Sequence, residues 1–417
     1  MMQYLFAFLK QVVRQGNLEV EAAGGDRLVL GDGTGRRLGV KFKDRAAERR
    51  LLLNPELAFG ELYSEGRLTV SQGSIYDLIE LIAKNLALRH APGMGAVHAR
   101  LRKSIRPFAG RNSKARSKRN VAHHYDLDRR FYDLFLDADR QYSCAYFEHP
   151  GQSLEEAQRA KKHHIAAKLL LEPGQRVLDI GSGWGGLALH LAEHCGADVT
   201  GITLSEEQLA VARQRADEQR PASNVQFQLQ DYRTMSGTFH RIVSVGMFEH
   251  VGVSHYDSFF RTIAERLTDD GVTLLHSIGR IDGPGVTNAW IDRYIFPGGY
   301  APALSEVLPS IERAGLVVTD IEILRLHYAE TLRLWRERFL NSRDEAVALT
   351  DEQFCRMWEF YLAASECGFR YNGLMVFQVQ LAKRIDTVPV TRDYIAENES
   401  ALRSMELAHQ PVPLAAE

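Results

Sequence analysis

From about residue 153 onward, apolar runs of strand length alternate with stretches of helical period. Ser153 and Glu156 stand at the spacing of a capping box, which opens a helix running to about Leu171. Pro173 and Gly174 break that helix, and Arg176–Ile180 reads as a short apolar strand. A helix Gly186–Cys195 and a strand over 198–202 come next. Ser205 and Gln208 form a second capping-box spacing, which starts a helix over 206–219. Strands follow at 225–230, 242–245 and 272–278, with a helix over 256–267 between the last two. This alternation predicts parallel β-α-β units in a doubly wound α/β sheet, completed by strands at 317–324 and 375–382. The aromatic-rich stretch 332–367 has helical period and is expected to be an inserted cover.

The first hundred residues follow a different pattern. An amphipathic opening helix puts Tyr4, Leu5, Phe8 and Val12 on one face, and strand-like pieces Arg27–Leu30 and 38–42 precede a helical stretch at 75–88. Gly24-Gly25 and Gly31-Asp32-Gly33 punctuate this region as turns. It is expected to be a small α+β domain over 1–105, with no catalytic cluster of its own.

Length and composition then narrow the classes. A chain of 417 residues exceeds one ordinary domain, and 45% hydrophobic with 25% charged residues is globular. A net charge of −2 gives no global field for nucleic acid. Locally, however, no acidic residue falls between Glu80 and Asp126, while basic residues run from Lys84 to Arg119. Three readings compete for this run: a solvated linker, a patch docking on anionic lipid headgroups, and a nucleic-acid site. Nucleic acid ranks last, because no interleaved aromatics or binding motif accompany the charges. The four cysteines form no C-x-x-C pair, which fits a reducing cytoplasm without zinc or disulfides. No apolar stretch approaches the length of a membrane span. The apolar first 13 residues lack the basic leader and cleavage site of a signal peptide, so a cytoplasmic protein is expected.

The candidate chemistry begins after the strand Arg176–Ile180, at Gly181-Ser182-Gly183-Trp184-Gly185-Gly186. Glycines there allow a tight turn and close approach to a ligand, and the next helix offers free N–H groups. The G-x-G-x-x-G spacing is met, but the second strand ends in Gly201-Ile202-Thr203-Leu204-Ser205, with no carboxylate to grip a ribose. A nicotinamide cofactor is thereby disfavoured, and a glycine turn without a ligand stays as the bland alternative. The string VLDIGSGWGG resembles the first motif of class I methyltransferases, in which the turn lies beside the amino-acid end of S-adenosylmethionine. Asp231 and Tyr232, ending the third strand, stand where such enzymes contact adenine; Asp231 read on its own could equally cap a turn.

Further blocks resemble one family, the cyclopropane-fatty-acyl-phospholipid synthases. They are HHYD at 123–126, FYDLFL at 131–136, YSCAY at 142–146, GITLS at 201–205, SVGMFEH at 244–250, HSI at 276–278, and His327-Tyr328 through Trp335. They run in order from about 120 to 380, and Ser182 replaces a cysteine common in the family. The resemblance implies a seven-stranded class I methyltransferase sheet with a helical lid, over 121–390. A basic linker at 106–120 and a C-terminal tail at 391–417 would flank it.

The resemblance also implies the reaction. S-adenosylmethionine donates a one-carbon unit to the cis double bond of an unsaturated phospholipid acyl chain, and a bound bicarbonate removes a proton so that a cyclopropane ring closes. Cys144, Glu249, His276 and Tyr328 match the residues that hold the bicarbonate, with backbone help at Ile278. Tyr142 and Ser143 fall at the carboxylate end of the cofactor, Gly181 and Gly183 in the turn, and Thr203, Leu204 and Gln208 near the ribose. Tyr142, Tyr146 and Phe248 are candidate aromatic faces for a passing cation. Taken without the resemblance, His276 reads as a satisfied core histidine and Cys144 as a small buried hydrophobe. Glu249 is expected either to be protonated or to accept the bicarbonate O–H, and His123 and His124 either order a cofactor lid or cap a helix.

Peripheral contact with the inner face of the membrane is expected from the basic run, and a homodimer from the resemblance. A methyl-branched or methylene product is the alternative outcome. Two rival classes are a lipid-binding protein on a decayed methyltransferase fold and a methyltransferase of soluble small molecules. The first predicts gaps in the glycine turn or the anion set, and the sequence has none.

Overall fold

The computed structural model describes residues 2–87, 129–218 and 224–409. The basic linker over 106–120 and the 123–126 block with His123 and His124 lie outside the described residues.

Seven strands form the main sheet: β5 (Arg176–Ile180), β6 (Asp198–Thr203), β7 (Val225–Leu229), β8 (Phe239–Val245), β9 (Leu267–Arg280), β10 (Val317–Ile323) and β11 (Leu374–Ala382). Their order is β10-β11-β9-β8-β5-β6-β7. The strands from β9 to β7 run parallel, whereas β11 is antiparallel to both neighbours, β9 and β10. The predicted doubly wound α/β sheet is therefore present. β5 lies between β8 and β6, with Val177 to Ile180 all buried, which is why it reads as a continuous apolar run. On one face Leu274, Val243 and Val177 pack under the helices Leu154–Leu169 and Gly186–Cys195. On the other, Leu275, Phe377 and Val379 pack with Phe259, Ile263 and Val307 from Tyr256–Arg266 and Leu304–Arg313.

The capping box at Ser153 forms as read: the Glu156 N–H donates to Ser153 Oγ, and the Ser153 N–H donates to Glu156 Oε2 at 2.9 Å. At Ser205 only half of it forms. Ser205 Oγ accepts the Gln208 N–H at 3.2 Å, but the Gln208 side chain turns away to the hydroxyl of Thr203.

The expected cover is three helices, His327–Asn341, Arg343–Leu349 and Glu352–Tyr371. They share one aromatic core with the N-terminal region, where β1 (Asn17–Glu21), β2 (Arg27–Leu30), β3 (Arg37–Phe42) and β4 (Leu68–Gln72) form a sheet of order β2-β1-β3-β4. Tyr63 donates to Glu359 at 3.0 Å and Tyr371 donates to Glu80 at 2.7 Å across this junction. The described part of the expected tail is the helix Asp393–His409, docked on Leu154–Leu169. His164 holds it there, bonded through Nδ1 to Glu399 and through Nε2 to Glu322 at 2.8 Å. No helix among the described residues is long and apolar enough to cross a membrane.

Candidate active site

The glycine turn is built as its composition requires. Gly181, Gly183 and Gly185 have φ of +86°, +56° and +85°, a region that side chains disfavour. The N–H groups of Gly181 and Ser182 both donate to Ile202 O, at 2.9 and 3.0 Å, and so tie the end of β5 to β6. A cleft opens there at the carboxyl edge of the parallel strands, where open α/β sheets bind ligands. Tyr142, Ser143, Gly181, Gly183, Thr203, Leu204, Gln208, Asp231 and Tyr232 all line it, so the structure brings together every residue expected at the cofactor. Thr203 Oγ1 donates to Gln208 Oε1 at 2.9 Å, which fixes both side chains in the wall. Asp231 lines the cleft, and its carboxylate caps the turn Tyr232–Thr234 by accepting the Arg233 N–H.

The cleft also contains residues that the sequence reading missed. Asp139 and Gln141 belong to the same loop as Tyr142, and Asp139 pairs with Lys162 at 2.7 Å and with Arg215. Lys161 reaches in from the helix Leu154–Leu169, donating to Gln141 Oε1 at 2.7 Å and to Ser143 Oγ at 2.8 Å. The available signal was a lysine on the apolar side of that helix, one turn before Ile165. Asp179 lines the cleft too, and burial raises its carboxyl to about 7.

The second set of residues does not line the cleft; several of its members sit on segments that do. Cys144 follows Ser143, and the turn Phe248–His250 that carries Glu249 follows the cleft residues Val245, Gly246 and Met247. Glu249 Oε1 accepts the main-chain N–H of Ile278 at 2.7 Å, while Oε2 is buried with no hydrogen-bond partner. The Ile278 N–H is thus spent on Glu249 and serves the set by orienting that carboxyl. His276 pairs in register with Val245 and is 2% exposed. Its Nδ1 meets the side-chain amide of Gln378 on β11 at 3.2 Å, and its Nε2 is buried and unpartnered. With the amide nitrogen of Gln378 donating, the ring proton sits on Nε2. Ala145 N–H donates to Thr331 Oγ1 at 3.0 Å, and Thr331 donates to His327 O, so the Cys144 segment is tied to the helix that begins His327-Tyr328. No hydrogen bond links His276 to Glu249 or Cys144.

Burial pushes each group of this set toward its uncharged form. It raises Glu249 to about 7, against the opposing hydrogen bonds from Ile278 and Ser277. Burial also lowers His276 to about 3, with Lys161, His164 and Lys168 pushing the same way. The Cys144 thiol is raised by burial as well.

Aromatic rings wall the region. Tyr142 stacks on Trp335 at 5.1 Å and shares a 2.8 Å hydroxyl contact with Tyr361, while Tyr328 meets Trp335 edge-on. The other two candidate faces are less open than expected. Tyr146 lies parallel to both His164 and His327, at 4.1 and 5.0 Å, so its ring is already stacked on imidazoles. Phe248 is stacked on Tyr256 at 4.4 Å within the core.

Residues 112–379 match the mycolic acid cyclopropane synthetase family. The chain is 40% identical over 263 residues to the cyclopropane-fatty-acyl-phospholipid synthase of Escherichia coli (strain K12), covering 63% of this chain and 67% of that protein. It is 35% identical over 386 residues to a tuberculostearic acid methyltransferase of Mycobacterium tuberculosis, covering 86% and 87% respectively. Among solved structures, a mycolic acid cyclopropane synthase complexed with SAH and CTAB is similar at a TM-score of 0.60 and 34% identity. That match covers 63% of this chain and 97% of the other. With its seven-stranded sheet and reversed strand in the class I methyltransferase arrangement, this chain belongs to the mycolic acid cyclopropane synthetase family.

Proposed function

We propose that the chain binds S-adenosylmethionine in the cleft and adds its methyl carbon to the cis double bond of an unsaturated phospholipid acyl chain, closing a cyclopropane ring. The observation that carries this reading is the pair of buried, unpartnered atoms Glu249 Oε2 and His276 Nε2, on segments of adjacent strands. A plain methyl transfer has little use for a dry acid and imidazole. A transfer that must end by removing a proton does.

S-adenosylmethionine supplies an electrophilic methyl carbon on a sulfonium leaving group. All of the expected residues line the cleft, where Gly181 and Gly183 would let the main chain approach the cofactor, Tyr142 and Ser143 would flank its amino-acid end, Thr203, Leu204 and Gln208 would hold the ribose, and Asp231 and Tyr232 the adenine. The alkene electron pair forms the new carbon–carbon bond, leaving a positive charge on the acyl chain that the rings of Tyr142 and its neighbours stabilise. Ring closure then releases a proton. Bicarbonate would supply the base for that step, and the residues fit it. Glu249 Oε2 and His276 Nε2 present protons to the anion, Cys144 and Tyr328 complete its surroundings, and Ile278 holds Glu249 in position.

The name of the Escherichia coli relative supports a phospholipid substrate. The basic run from Lys84 to Arg119 supports docking on the anionic inner face of a membrane, at about 1 kcal/mol for each cation near the surface. The name of the Mycobacterium tuberculosis relative supports a second reading with the same first step, in which the product is a methyl-branched or methylene chain. Incubation with S-adenosylmethionine and vesicles of a cis-unsaturated phospholipid tests both. A gain of one CH2 with loss of the double bond supports ring closure, and retention of a double bond supports the second reading. Absence of S-adenosylhomocysteine release with any lipid overturns both.

A further inference from the structure

Lys161 is 0% exposed, and among the described residues no carboxylate forms an ion pair with its ammonium, although Asp137 and Asp139 lie close enough to favour its charge. Among the described residues its ammonium makes two hydrogen bonds, both to neutral acceptors, Gln141 Oε1 at 2.7 Å and Ser143 Oγ at 2.8 Å. An ammonium has three donors, so one is unspent. Of the nearby carboxylates, Asp179 is raised to about 7 by burial despite the pull of Lys161, and no hydrogen bond or ion pair joins the two; the others are committed elsewhere. Asp139 pairs with Lys162 and Arg215, and Asp137 accepts the main-chain N–H groups of Asp139 and Gln141 at 3.2 and 2.8 Å. Desolvation accordingly lowers Lys161 to about 8. A buried cation without an anion is strongly unfavourable unless a ligand supplies one. Lys161 lines the cleft between Ser143 and Asp179, so a ligand in the cleft reaches it.

The chemistry of the ligand then selects the group. S-adenosylmethionine carries two positive centres, the sulfonium and the α-ammonium, and one negative centre, the α-carboxylate. We propose that Lys161 is the counter-ion of that carboxylate, with Gln141 and Ser143 holding the ammonium in place, and that it selects ligands bearing a zwitterionic amino-acid end. The inference rests on the cleft being the cofactor site. It adds a charged partner for the cofactor that neither the motifs nor the glycine turn disclose.

Two ligands separate this role from a structural one. S-adenosylhomocysteine and 5′-methylthioadenosine share the nucleoside and the thioether, but only the first has the amino-acid end. Calorimetric titration of the full chain is expected to give a loss of about 10- to 100-fold in S-adenosylhomocysteine affinity for Lys161→Met, with 5′-methylthioadenosine unaffected. Lys161→Arg, which keeps the charge, is expected to retain part of the affinity. Above its free midpoint of about 8, the parent protein is expected to take up protons on binding S-adenosylhomocysteine and none on binding 5′-methylthioadenosine. That measurement needs no variant and decides the matter if Lys161→Met does not fold. Equal losses for both ligands, no loss, or no proton uptake overturns the assignment. Failure of the parent to bind either ligand overturns the cofactor reading itself.

Discussion

Glu249 accepts the Ile278 N–H through one carboxyl oxygen at 2.7 Å and keeps the other buried and unpartnered. The two oxygens therefore have separate tasks: one orients the group and the other carries the proton. Glu249→Gln retains an acceptor for Ile278 and loses the acid. The variant should melt near the parent temperature while turnover on unsaturated phospholipid falls by about 100-fold or more. Equal product yields from parent and variant in lipid mass spectrometry would remove Glu249 from the mechanism.

The same carboxyl has a pH signature in stability. Its folded value of about 7 lies above its ordinary 4.5, so between these limits the folded state holds the proton more tightly than the unfolded state. Glu249 thus favours folding at low pH, and that contribution is lost as pH rises through the window, at up to about 1.4 kcal/mol per unit. Urea denaturation across this range should find Glu249→Gln gaining on the parent as pH rises; a constant difference would contradict the shift.

His276 works in the opposite direction. Its ring protonates near 6.5 when unfolded and near 3 when folded, so stability is lost as pH falls through that interval. His276→Gln should flatten the acid limb of the stability profile and depress turnover. An unchanged acid limb would mean that the ring is more hydrated than its burial implies.

Gly60 sits in the helix Pro55–Ser64, where alanine would ordinarily favour the helix by about 1 kcal/mol. Here a Cβ would lie 2.4 Å from Trp290 Nε1, and the indole is rigid and 2% exposed. The clash should prevail, and Gly60→Ala should cost about 1–3 kcal/mol in thermal or urea unfolding. A stabilised variant would show that the N-terminal domain is free to shift on its neighbour.

His164 joins Glu399 of the C-terminal helix to Glu322 of β10. Its removal in His164→Leu leaves Glu322 and Glu399 facing each other, at an expected cost of about 3 kcal/mol. Adding Glu399→Met should recover part of that loss, a non-additivity that a double-mutant cycle measures. Strictly additive effects would mean that the two side chains act independently.

The main sheet is legible in the sequence where a strand is short, apolar and bounded by turn residues, as Arg176–Ile180 is by Gly174 and Gly181, whereas β9 begins at Leu267, five residues before its apolar run. Strands such as Asn17–Glu21 are not, since only Leu18 and Val20 point inward in a run of five. The C-terminal helix reads as a tail because its anchors, Glu399 to His164 and Glu406 to His163, join residues more than 200 positions apart. The cofactor wall is legible from motif spacing. The neutral state of Glu249 and the lone charge of Lys161 are not, because both follow from burial, which a linear pattern of residue types does not encode.

The reversed strand β11 brings Gln378 opposite His276, and that amide sets where the imidazole keeps its proton. A slip of one residue would turn Gln378 to the other face and bring Phe377 or Val379 to the histidine instead. Synthesis proceeds from the other end of the chain, so the glycine turn, Glu249 and His276 all exist before this strand does. The residue that fixes the His276 tautomer is thus contributed by the last strand of the described sheet, 102 positions further along the chain than the histidine it serves.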